Sequence, residues 1–135
     1  MLNQLRDEIH QNAVEHGWWE EERSFGDIIA LCHSELSEAL EEYRNGMPMK
    51  YNKCKELLQE DDPKDRICEP IDCDQCCEGC PDFIDKPEGI AIELANCIIR
   101  ILDYCGKAGI DIEEALRIKH EYNKTRPYRH GGRKL

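Results

Sequence analysis

The sequence predicts an all-α chain, a bundle of about four core helices with a cysteine-rich insertion between the second and third. Three observations carry that expectation. Apolar residues recur at helical spacing in separate segments, each bounded by capping or breaking residues. No segment shows the apolar–polar alternation of a half-buried strand. The 135 residues are 40% apolar and 35% charged, which suits a single helical domain that finishes burying its surface by association.

The first helix rests on Leu2, Leu5, Ile9 and Ala13, and His16-Gly17 marks its end. Trp18 and Trp19 follow in a loop. Ser24 with Asp27 three residues on forms an approximate capping box for the second helix, which stops near Asn45-Gly46. Residues 47–86 differ in kind: they lack periodic apolar positions, are rich in acid and proline, and hold six of the nine cysteines. They read as the insertion. Pro87 fits the first turn of a third helix, Glu88 to Cys105. Its surface is apolar almost all round (Ile90, Ile92, Leu94, Ile98, Ile99, Ile101, Leu102), which places it at the centre of the bundle. Gly106 and Gly109 are expected to end it. Asp111 with Glu114 caps a fourth helix, broken by Arg126-Pro127, and residues 126–135 form a basic tail.

Charge is uneven. The formal net charge is -11, but residues 117–135 carry +6 and residues 1–116 carry -17. Such acidity excludes general binding to duplex nucleic acid and suits a site that gathers divalent cations. Nothing resembles a membrane span, and MLNQLRDEIHQ lacks the basic start and apolar run of a signal peptide, so a cytoplasmic protein is expected. In that compartment the cysteines are not a disulfide framework.

The stretch HSELSEALEEYRNG sets carboxylates against a greasy arc. On a wheel of about 100° per residue, Ile28, Leu31, Cys32, Leu36, Ala39, Leu40 and Tyr43 share one side, Glu35 falls among them, and Glu38 and Glu42 lie at the edge. A carboxylate facing a core needs a cationic partner. The third helix carries a second polar strip, Glu93, Asn96, Arg100 and Asp103. Glu35/Glu38 and Glu93/Asn96 are both i, i+3 pairs, so two such pairs facing each other make an oxygen cage suited to Mg²⁺ or Mn²⁺. The plainer alternative makes Glu38 and Glu42 a solvated helix edge.

These residues resemble the MazG-like, all-α nucleoside triphosphate pyrophosphatase superfamily, whose pattern is ExxE on one helix and ExxD on another. The resemblance takes in SELSEALEEYRNG and the run from KPEGIAIELANC to RPYRHGG, and leaves out the cysteine segment. It implies that Glu35, Glu38 and Glu93 are catalytic and hold the metal together with Asn96, which stands where the family has aspartate. An uncharged ligand there should hold Mg²⁺ less tightly. The implied reaction is hydrolysis of a nucleoside triphosphate to the monophosphate and pyrophosphate, in nucleotide-pool housecleaning, by a homodimer or homotetramer. Lys119, Asn123 and Arg126 match the family's KxxxNxxR-like pattern and, with Arg129, His130 and the glycines after them, are expected to hold phosphates. The plainer reading of this tail is a frayed basic C-terminus. Asp103 is placed to position the attacking water.

Trp18 and Trp19 offer a surface for a base, or one of them is buried. Cys73, Cys76, Cys77 and Cys80 form two overlapping CxxC units, fit for a structural Zn²⁺ or an iron–sulfur cluster, with redox-sensitive thiols or an inert loop as alternatives. Cys54 or Cys68 is a further candidate ligand for closing that geometry. Cys32, Cys97 and Cys105 lie on apolar arcs as small core residues. A rival to the enzyme is a nucleotide- or metal-binding regulatory protein of the same fold, weakened at Asn96.

Overall fold

A computed structural model describes residues 1–54, 62, 67–68 and 83–128. In chain order these form α1 (Leu2–Glu15), α2 (Phe25–Arg44), β1 (Tyr51–Cys54), β2 (Ile67–Cys68), β3 (Phe83–Glu88), α3 (Ile90–Ala108) and α4 (Ile112–Lys124). The described chain is therefore mostly helical, as expected, with a small sheet that the sequence reading missed. It divides into two compact units, one made of residues 1–22 and 102–135, the other of residues 23–101, and α3 contributes to both.

In the first unit, α1 starts without a side-chain cap, and its end is tied to the start of α4 instead. The terminal amine pairs with Glu113 at 2.7 Å, the Asn3 amide donates to Asp111 at 2.8 Å, and Arg6 donates to the Ile110 carbonyl at 2.6 Å. Ala13, Leu102 and Cys105 are the buried apolar residues of this unit. Gly106 does not end α3 as expected. It lies inside the helix at a close approach of α1, for a Cβ there would sit 2.5 Å from the His10 Cβ. Gly109, at φ +65°, supplies the actual stop. Asp111 caps α4 by accepting from the Glu114 N–H. No residue of α4 is buried.

In the second unit, Ser24 and Asp27 close a full capping box at the head of α2, as the sequence predicted. Ile28, Cys32, Glu35 and Ala39, spaced by three or four, make its buried face. Gly46, at φ +63°, follows the end of the helix. The three strands are ordered β2-β1-β3 and all pairs are antiparallel. Asn52 faces Cys68, Lys53 faces Ile67 and Ile84, and Tyr51 faces Glu88, with an irregularity between Tyr51 and Lys53. The sheet thus joins the two ends of the segment read as the cysteine-rich insertion.

Pro87 belongs to β3 rather than to the first turn of α3. β3 is an edge strand, where a residue without an N–H is tolerated. The switch from strand to helix falls at Gly89, which holds φ +115° and lies so close to the chain before β1 that a Cβ would sit 2.6 Å from the Met49 carbonyl oxygen. That same carbonyl accepts the Ala91 N–H at 2.9 Å and satisfies one of the free donors of the helix start. α3 is not enclosed on all sides: Cys97 and Leu102 are buried, but Leu94, Ile98, Ile99 and Ile101 remain exposed.

Candidate metal centre

Glu35 and Glu38 come from one side of α2 and Glu93 from the first turn of α3, and one carboxylate oxygen of each lies within 4.8 Å of the others. The i, i+3 spacing on α2 places its two acids side by side. Glu35 is the most enclosed, at 6% exposure, and is the buried charged residue among those described. Its Oε1 accepts from Arg100 Nε at 2.6 Å. Arg100 is thus the cationic partner that a buried acid requires.

Burial pushes the Glu93 carboxyl above its ordinary range; the Asn96 hydrogen bond opposes this, and the negative charges of Glu38, Glu35 and Glu42 reinforce it. Asn96 donates from Nδ2 to Glu93 Oε2 at 3.0 Å. The amide therefore orients Glu93 through its nitrogen, and its carbonyl oxygen is the atom able to face a cation. A carboxylate raised by burial and by neighbouring negative charge is relieved by a divalent cation, so the three acids could hold a metal ion.

A second network borders this cage. Tyr51, 3% exposed, sets its hydroxyl 3.1 Å from Glu42 Oε1 and 3.3 Å from Glu88 Oε2. Burial and the two carboxylates push the phenol far above its ordinary range, so it stays a neutral donor. Burial also pushes Glu88 up, but Lys53 at 2.7 Å and Lys86 at 3.0 Å outweigh it and hold that carboxyl below its ordinary range. Lys86 in turn is raised by its bond to Glu88 and by the charges of Glu88, Glu93 and Glu38. Glu42 has no such cation: its Oε2 is buried and lacks a hydrogen-bond partner among the described residues.

Sequence reasoning placed Glu42 at the helix edge but not Tyr51, Lys53, Lys86 and Glu88 beside it. The helical spacing of Glu42 after Glu38 was the available signal. Arg100 was visible only as a member of the polar strip.

The other expected site residues lie in the first unit or outside the described residues. Lys119 and Asn123 lie on α4, with Arg126 just beyond its end. Arg129 and His130 lie outside the described residues, as do Cys73, Cys76, Cys77 and Cys80; of Cys54 and Cys68 only the backbone pairing is described. Cys32, Cys97 and Cys105 are buried free thiols, as expected. Burial, with Cys97 alongside, raises the Cys32 thiol, which marks a packing residue rather than a nucleophile.

Trp19 is not an open stacking face: its Nε1 donates to both Asp103 oxygens at 2.9 and 3.2 Å, His10 meets its ring edge-on at 5.7 Å, and Lys107 lies 5.4 Å from its centroid. Trp18 is exposed. Asp103, expected to position water, is engaged by Trp19 and by His10 Nδ1 at 2.7 Å.

Comparison with family models, curated proteins and solved structures yields no match to this chain.

Proposed function

We propose that this chain is a Mg²⁺-dependent nucleoside triphosphate pyrophosphohydrolase, releasing pyrophosphate and a nucleoside monophosphate. The observation that supports this reading best is the convergence of Glu35, Glu38 and Glu93 from two helices within 4.8 Å of one another. Those three, with the Asn96 carbonyl, would hold the cation. When bound, it supplies charge neutralisation on the phosphate oxygens and lowers the barrier to attack by water. The chain's own residues do the rest. Asn96 fixes Glu93, Arg100 fixes Glu35, and a carboxylate not fully used by the cation accepts a proton from the attacking water. Lys119, Asn123 and Arg126 are assigned to phosphate binding. In the cytoplasm such an enzyme clears unwanted triphosphates, and a cysteine-bound Zn²⁺ or iron–sulfur cluster would order the insertion.

Purified protein with Mg²⁺ should release pyrophosphate from at least one of a panel of ordinary and modified triphosphates, and Glu35→Gln and Glu93→Gln should each abolish that release. Wild-type turnover in either variant would dismiss the site. A regulatory, non-hydrolysing nucleotide- or metal-binding protein is the second reading. It is favoured by one observation: Arg100 already neutralises part of the cage while Asn96 adds no charge. Tight triphosphate binding without pyrophosphate release across the panel would select it.

A further inference from the structure

α4 carries cations of two kinds. Lys124 pairs with Glu121 at 2.7 Å and Arg117 with Glu114 at 4.0 Å, the ordinary i, i+3 neighbours of a surface helix. Lys119 and Arg126 have no carboxylate partner among the described residues. Both turn to one aromatic ring instead: Lys119 Nζ lies 4.8 Å and Arg126 Cζ 6.0 Å from the centroid of Tyr122. Two like charges drawn to a common ring repel one another, in a chain whose net charge of -11 offers many acids to neutralise them. The helix end does not explain the pair. Two of its carbonyls are already served, Tyr122 O by the Thr125 N–H at 3.0 Å and hydroxyl at 2.7 Å, and Asn123 O by the Arg126 N–H at 3.2 Å. The helix dipole would favour a cation near this end, but it does not select a shared ring.

We propose that Tyr122 is the positioning residue of an anion clamp, its ring holding Lys119 and Arg126 ready to take two different phosphate groups of one polyphosphate chain. This rests on the phosphate-binding role of α4 proposed above and adds what it leaves open: how the cations are held and why they prefer a polyphosphate. A single orthophosphate can satisfy one cation fully, whereas linked phosphates engage both and gain from the second contact being intramolecular. The ring prepays the ordering of two flexible side chains, and the guanidinium adds paired N–H donors.

The test is calorimetric titration of the full chain with sodium tripolyphosphate and with sodium orthophosphate, in EDTA and without divalent ions, so that hydrolysis plays no part. Wild type should prefer tripolyphosphate. Tyr122→Phe keeps a ring and should bind within about twofold of wild type, while Tyr122→Leu should weaken tripolyphosphate by about three- to tenfold and orthophosphate by less. Tyr122 is 55% exposed, so neither variant should disturb the fold, which far-UV circular dichroism checks. The proposal is overturned if wild type shows no preference for tripolyphosphate, if Tyr122→Leu equals wild type, or if Tyr122→Phe is as weak as Tyr122→Leu. Absence of pyrophosphate release from the triphosphate panel, with the tripolyphosphate preference and the Tyr122→Leu loss both present, would sink the enzyme reading without touching this one.

Discussion

The pairing of Glu35 with Arg100 decides how the acidic cage is tolerated. Arg100→Leu leaves a buried carboxylate without its cation and should cost about 2 kcal/mol, less than a fully buried pair would, because Arg100 keeps 34% side-chain exposure. Added Mg²⁺ should then raise the melting temperature of Arg100→Leu more than that of wild type, since the ion becomes the main counter-charge. Equal shifts in thermal melts would separate Glu35 from the metal. Glu93 adds a pH dependence whose sign follows from its raised carboxyl. The folded chain holds the Glu93 proton more tightly than the unfolded chain, so this stability is fully present below the ordinary value of 4.5 and is lost as pH rises through the raised one. In EDTA, melting temperature should fall across that window in wild type and fall less in Glu93→Gln; parallel curves would show that Glu93 is not the titrating group. The three glutamates were legible in the sequence because i, i+3 spacing on a helix is local. Arg100 and the Tyr51 hydroxyl were not, because their partnerships form across 65 and 37 residues of chain and depend on which helix faces meet.

Among the elements, helix ends marked by a capping side chain or by a glycine such as Gly17, Gly46 or Gly109 were readable, and the junction between strand and third helix was not. Ser24 and Asp27 announce α2 because a capping box needs particular side chains at fixed positions. Pro87 suits both a first helical turn and an edge strand, and only the packing of Gly89 against the Met49 carbonyl decides for the strand. Gly89→Ala sets a Cβ into that carbonyl and a side chain at φ +115°, so about 3 kcal/mol or more should be lost in urea unfolding. An unchanged midpoint would mean the junction rearranges freely. Gly106→Ala is a closer contest. Alanine gains about 1 kcal/mol in helix propensity, while the clash with His10 costs about 1–3 kcal/mol. With the Cβ only 2.5 Å from that of His10, the clash should win and the variant should melt below wild type.

For the whole molecule, the apolar surface left over on α2 and α3 points to self-association. Phe25, Ile29, Leu36, Leu40 and Tyr43 are all exposed and fall on one side of α2, while Leu94, Ile98 and Ile101 are exposed at i, i+4 and i+7 on α3. The near-continuous apolar character of α3 was legible in the sequence. The sequence also led to the expectation of burial completed by association; what it could not say is which residues the chain's own described residues leave uncovered, because periodicity reports how much surface needs burying and not what buries it. A second copy offering the same two stripes would complete a four-helix arrangement, each partner covering the other's exposed face. Electrostatics opposes this, since residues 1–116 of each copy carry -17. Salt screens that repulsion while leaving apolar burial intact. The chain should therefore run as a dimer or larger in size-exclusion chromatography with light scattering, and the larger species should gain population as NaCl rises from 50 mM to about 500 mM. Leu36→Glu with Ile98→Glu should return it to a monomer with its circular dichroism unchanged, because both side chains are already exposed in the single chain. A wild-type monomer at every salt concentration would show that these stripes face water or another protein.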